Sequence, residues 1–311
     1  MNVSYGSGEE ITTQTFVYTV SEGDSLKLDV YIDPSAKVDG PRPVILYQHG
    51  GGWDSDDTRE QGKKWLSKMA RYGYAGVSID YRLGIRRLKQ QNGGSGEFAP
   101  EDFGKWYDYA ISSGIEDYYD ATAFLIKHAK ELNINPDMII AAGGSAGAVD
   151  VCTAEYRLVN GEEIATSRLP KGFNYAAVIS CAGGVWGFGL EEPVWKGRPC
   201  PFLLFHGDKD QLVPYEVVKN EAADYSAWGS KTLARQFKDL KTPYLFLTGT
   251  DCDHALSGIP FVNCLDLMQS YLYRVLFRGE RISLEITESY LDEPMTIPYI
   301  LTHLGQFKDD M

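Results

Sequence analysis

Met138-Ile139-Ile140-Ala141-Ala142-Gly143-Gly144-Ser145-Ala146-Gly147 decides the fold of this chain. Five apolar residues read as a short buried strand. A helix-forming stretch begins near Ala146. Between them lies G-x-S-x-G, the layout of an elbow that lifts one serine hydroxyl above the end of a sheet. Glycine flanks such a serine because a turn this tight leaves little room for side chains.

Working outward, further buried-strand runs appear on both sides. Val44-Ile45-Leu46-Tyr47 and Tyr74 to Tyr81 precede the elbow; Ala176 to Cys181, Phe202 to Phe205 and Tyr244 to Leu247 follow it. Helical patterns through Trp65, Met69 and Ala70, from about Ile115 to Leu132, and from Phe261 to Phe277 alternate with them. Strands alternating with helices predict an α/β fold, a mostly parallel central sheet covered by helices on both faces. Residues Ile11 to Asp33 read as an N-terminal hairpin turning at Glu22-Gly23-Asp24. From Leu83 to about Ala110 the alternation breaks, and the aromatic residues there suggest an insertion that walls or covers a site. The tail beyond Arg278, residues 279–311, carries alternating Ile282, Leu284 and Ile286, as an edge strand or a surface through which two copies could associate would. The whole 1–311 is read as a single domain.

Composition narrows the function. With 311 residues, 43% hydrophobic and 23% charged, the chain can build a large core. A net charge of −13 argues against nucleic acid or an anionic membrane as partner. No apolar run is long enough to span a bilayer. The N-terminal residues lack a secretory pattern, so the plain expectation is cytoplasmic, or periplasmic or secreted if an export signal was removed. The five cysteines show no C-x-x-C spacing and read as buried free thiols; no metal or cofactor is implied.

A serine hydroxyl needs a base to take its proton. A Ser-first order on a sheet of this kind requires an acid and then a histidine downstream. Of five histidines, His49 and His128 precede Ser145, and His206 precedes the acid candidates. His254, in the loop after the Tyr244 strand, is favoured over His303 in the tail. Asp208 and Asp210 follow the Phe202 strand, where a carboxylate could orient the imidazole. His49-Gly50-Gly51-Gly52 closes the Val44 strand. Consecutive glycines let backbone N–H groups approach a developing oxyanion, so Gly51, Gly52 and Ala146 would form a three-donor hole. Trp53, Trp186, Phe188 and Trp106 lie in loops and are candidate walls for a substrate ring.

Together these residues resemble the α/β-hydrolase superfamily, in its hormone-sensitive-lipase-like branch and the related bacterial carboxylesterases. The resemblance covers about Val44 to Phe277: the HGGG run at 49–52, Asp80-Tyr81-Arg82-Leu83, the elbow, the D-x-x-V-P loop at 210–214, and His254. It implies Asp210 as the acid. It also implies a serine carboxylesterase acting on a small, aromatic or carbohydrate-linked ester, with no cofactor. Trp53 after the glycines is closer to feruloyl and acetyl-xylan esterase-like relatives. Gly144, where many members carry an acidic residue, and the long gap from Asp210 to His254 depart from the pattern. The alternatives are a serine peptidase of prolyl-oligopeptidase type and an inactive binding module on the same fold.

Overall fold

Residues that alternate along a strand face opposite sides of its sheet, so an apolar residue at every position means a strand buried on both faces. The computed structural model, which describes residues 3–4, 11–55 and 58–289, is built on that rule. The first half of the chain forms β1 (Val3–Ser4), β2 (Thr12–Ser21), β3 (Asp24–Ile32), β4 (Lys37–Val38), β5 (Arg42–Gln48), α1 (Lys63–Arg71), β6 (Ala75–Ile79), α2 (Gly84–Gln91) and α3 (Phe103–Lys127). Then follow β7 (Ile134–Gly144), α4 (Ala146–Val159), α5 (Glu163–Thr166), β8 (Ala177–Cys181), β9 (Gly184–Phe188) and β10 (Phe202–Gly207). The remainder forms β11 (Val217–Asn220), β12 (Tyr225–Gly229), α6 (Ser230–Asp239), β13 (Tyr244–Gly249), α7 (Pro260–Asn263), α8 (Leu265–Leu272) and β14 (Ser283–Glu288).

Nine strands make one sheet in the order β14-β13-β10-β8-β7-β5-β6-β3-β2. It is parallel from β14 to β6, and the β2–β3 hairpin adds antiparallel at one edge. On its two faces lie two apolar cores. Val44, Leu46, Ile139, Ala141, Phe202 and Leu204 point into one, with α3, α4 and α6. Ile45, Tyr47, Ile140, Ala142, Leu203 and Phe205 point into the other, with α1 and α8. Truncating one of the larger of these residues to Ala costs about 2–5 kcal/mol, through lost burial and the cavity left behind. No helix among the described residues is long and apolar enough to cross a membrane.

The α/β-hydrolase architecture expected from the sequence is present; some elements differ. Residues 83–110 are mostly helical rather than irregular, because α2 fills 84–91 and α3 starts at Phe103, not near Ile115. Phe103 and Tyr107, one turn apart, stack at 4.3 Å, and Phe98 packs on Trp106 at 4.8 Å. Phe103, Trp106 and Tyr107 are half-buried against the core, on the inner side of α3. The tail's Ile282 to Ile286 segment is a strand, β14, parallel to β13. Residues 290–311, including His303, lie outside those described. A second sheet, β11-β12-β9, has no counterpart in the sequence reading. It makes Trp186 and Phe188 strand residues, and β11, β12 and α6 occupy the long interval between Asp210 and His254.

Candidate active site

Parallel sheets bind ligands beyond the carboxyl ends of their strands, where neighbouring connections diverge. β7 is the central strand of nine and ends at Gly144. Ser145 follows at φ 54°, ψ −122°, a backbone state that non-glycine residues seldom adopt. Its N–H donates to Cys181 O at 2.9 Å and its carbonyl accepts from Val149 N at 3.0 Å, so both strand and helix hold the turn. A Cβ at Gly147 would run into the carbonyl of Gln48, and one at Gly144 into that of Ser257. The second contact explains the missing acidic residue at 144: the turn after His254 occupies its place.

His254 opens a 3₁₀ turn whose first N–H groups are capped by Asp253, which accepts from Ala255 N at 3.1 Å. Its Nδ1 lies 2.7 Å from Asp210 Oδ2, and its Nε2 lies 2.7 Å from Ser145 Oγ. An ionised carboxylate only accepts, so Nδ1 carries the proton. Nε2 of the neutral ring is then the acceptor for the Ser145 hydroxyl. Asp210 Oδ1 accepts from Leu212 N at 2.9 Å and Val213 N at 3.0 Å, which fixes the carboxylate plane. The Asp208 carboxylate instead lies 3.9 Å from Lys209 Nζ, a long ion pair. Of the two aspartates, Asp210 is the one brought to His254.

His206, set aside as a base by chain order, is fully buried behind Asp210. Its Nε2 faces two acceptors, Val213 O at 3.1 Å and Asp210 Oδ2 at 3.3 Å, and must therefore carry hydrogen. Its Nδ1 lies 2.8 Å from Ser230 Oγ. Burial alone would raise the Asp210 pKa; hydrogen bonds from His206 and His254 outweigh it and hold the group well below the usual carboxylate range. The i, i+4 spacing of His206 and Asp210 was the available signal for this contact.

The glycine loop meets the elbow directly. A Cβ on Gly50 would lie 3.0 Å from Gly144 O and 3.1 Å from Ser145 Cβ, tighter than side chains normally pack. Gly51 and Gly52 have φ of 106° and 62°, which bend the chain around the serine. Ala146 is the first residue of α4, and its N–H is one of those a helix leaves without an internal acceptor. His49 Nδ1 donates to Gly50 O at 2.8 Å, and Tyr81 OH donates to His49 O at 3.0 Å. His49 and Tyr81 thus brace the loop. In the same Asp80-Tyr81-Arg82-Leu83 segment, Arg82 is buried against Asp117, Glu116 and Glu22, and Asp80 pairs with Arg59.

Trp53 and Trp186 are buried, 6.1 Å apart, and both pack on Tyr107. Trp106 is half-buried beside Phe98. Phe188 is 57% exposed and lies edge-on to Tyr225, so of the four expected wall residues it alone is open to solvent. All five cysteines are free, four of them buried. The sequence reading missed Asp150, a fully buried residue on α4. It accepts from Gln48 Nε2 at 2.5 Å and from Trp53 Nε1 at 3.0 and 3.1 Å. No pattern pointed to it, since its partners flank the glycine loop about 100 residues away.

A serine at a strained strand-to-helix turn, an imidazole, a buried carboxylate and a glycine loop thus meet on an α/β-hydrolase fold. A family model, BD-FAE, matches residues 28–88, which run from β3 through the glycine loop to α2. LipM of Mycobacterium tuberculosis, a probable carboxylic ester hydrolase, is 29% identical over 125 residues, 40% of this chain and 24% of its own length. Lipase 2 of a Moraxella species is 29% identical over 104 residues, 33% of this chain and 19% of its own. The chain thus spans about a quarter or less of the curated relatives it matches. Est2, a thermophilic esterase of Thermogutta terrifontis solved with propionate bound, superposes with a TM-score of 0.60. The match has 19% identity and covers 85% of this chain and 95% of Est2; Est2 has also been solved phosphorylated by paraoxon. The chain thus has the α/β-hydrolase fold, and parts of it are similar to carboxylic ester hydrolases and lipases.

Proposed function

We propose that the protein is a serine carboxylesterase. The observation that carries this reading is the unbroken hydrogen-bonded chain Ser145–His254–Asp210, 2.7 Å at each link, set against a glycine loop. In the proposed cycle, Ser145 Oγ bonds to the ester carbonyl carbon as its proton passes to His254 Nε2. The amides of Gly51, Gly52 and Ala146 receive the oxyanion. Collapse breaks the C–O bond to the leaving alcohol, which takes the proton from His254. Water, deprotonated by the same ring, then releases the acid and restores Ser145. Asp210 holds the imidazole in the required tautomer and stabilises its charged form.

For the substrate, the aromatic surroundings of the loop favour a small ester or one with an aryl or sugar-linked part. A panel of acetyl, butyryl, feruloyl and long-chain esters tests this; best turnover on long chains would count against it. The serine mechanism is tested by Ser145→Ala and by paraoxon. The variant should lose ester hydrolysis by about 10⁴-fold or more. Paraoxon should add one phosphoryl group, at Ser145 and nowhere else by peptide mass mapping. Undiminished hydrolysis in a folded Ser145→Ala variant would falsify the proposal.

A further inference from the structure

An oxyanion site works only if its donors stay where charge will develop, and glycines have no side chains to hold them there. Here the supporting group comes from the opposite wall. Gln48 immediately precedes the His49-Gly50-Gly51-Gly52 run and Trp53 immediately follows it. Both donate to one carboxyl, Asp150, at 2.5 Å and 3.0 Å respectively. Asp150 in turn rides on α4, the helix whose first residue is Ala146. One side chain thus links the loop donors, Gly51 and Gly52, to the helix donor, Ala146. Space is kept for it by Gly114 of α3, where a Cβ would run into the Asp150 carboxyl and come within 3.1 Å of Gln48 Nε2.

We infer that Asp150 is a positioning residue that clamps both ends of the oxyanion loop and fixes its distance from Ala146. The inference rests on the esterase reading above. Burying an acid here is costly: desolvation pushes its pKa well up, against the hydrogen bonds of Trp53 and Gln48. An apolar side chain would fill a helix–sheet interface more cheaply but could not bind two donors. The buried Oε1 of Gln48 has no partner among the described residues. An amide at position 150 could therefore keep the clamp, accepting from Trp53 while donating to a turned Gln48 amide.

The test measures kcat and KM for an aryl ester and for its thiono analogue in Asp150→Leu, Asp150→Asn and Trp53→Phe. Sulfur accepts hydrogen bonds weakly, so an intact oxyanion hole favours the oxygen ester and a displaced one loses that preference. Asp150→Leu should lower kcat on the oxygen ester by about 100-fold with KM nearly constant, and should lower the oxygen-to-sulfur rate ratio. Asp150→Asn should restore kcat to within about threefold of the parent, and Trp53→Phe should fall about tenfold with the same loss of ratio. Equal losses on both esters, or parental kinetics in a folded Asp150→Leu, overturn the clamp. If Asp150→Leu does not fold, the ratio in Trp53→Phe, which keeps most of the ring packing, decides. Activity in Ser145→Ala would instead overturn the esterase reading; a dead Ser145→Ala beside unaffected Asp150→Leu and Trp53→Phe overturns the clamp alone.

Discussion

At position 145 the backbone restricts the side chain before chemistry does. A φ of 54° is tolerated by an unbranched residue and strained for a β-branched one. Threonine carries the same hydroxyl, yet Ser145→Thr should unfold about 1–2 kcal/mol more easily than Ser145→Ala in denaturant, whereas Ser145→Cys should match the parent. Asp210 offers the complementary test. Asn at 210 keeps the oxygen that accepts from Leu212 and Val213 but turns an N–H₂ toward His254, forcing the ring into the tautomer that cannot accept from Ser145. We expect kcat to fall by about 10⁴-fold, and the melting temperature to drop as well because the buried His206 Nε2–H then faces the new N–H₂; a loss of activity below tenfold would mean that Asp210 does not set the tautomer. Ser145 and His254 were legible from strand-end placement and chain order. Asp210 was separable from Asp208 only by its resemblance to a known loop, since both sit in one polar turn, and what divides them is three-dimensional: two backbone N–H groups and His206 converge on one carboxylate.

The elements repeat this division. Buried strands announce themselves as continuous apolar runs, and β5, β6, β7, β8, β10 and β13 were readable for that reason. The antiparallel sheet β11-β12-β9 was not, because Val217-Val218-Lys219-Asn220 is short and exposed and its partners are distant in sequence. The elbow shows what such distant elements impose. Position 144 faces the carbonyl of Ser257, so the turn carrying His254 and the turn carrying Ser145 are mutually fitted. Gly144→Ala should push those turns apart, lowering kcat at least tenfold with little change in KM. Replacing Gly258, whose added Cβ would meet nothing within 4 Å, is the control. Equal kinetics for the two variants would show that the fit is not tight.

Over the whole molecule, stability should carry the mark of buried acids, and Glu155 is one that can be read by substitution. Glu155 on α4 is buried, accepting from Cys200 N at 2.9 Å and from the Cys200 thiol, and desolvation outweighs both, raising its pKa to about 7 from 4.5. Between those values the folded chain keeps a proton that the unfolded chain has lost. Stability present below about pH 4.5 is therefore lost as pH rises toward 7, by about 3 kcal/mol in all. Glu155→Gln does not titrate, so its stability relative to the parent should improve by that amount between pH 4.5 and 8 in denaturant titrations. Parallel curves would place the proton elsewhere. The proposed reaction has its own global dependence, set by chain order. Ser145 and His254 stand 109 residues apart, and Asp210 and His254 44 apart. A ribosome adding about 5–20 residues per second delivers the histidine some 5–20 s after the serine. On the proposed mechanism, throughout that interval the growing polypeptide has a nucleophile without its base, and activity should arise only once the sheet is nearly complete.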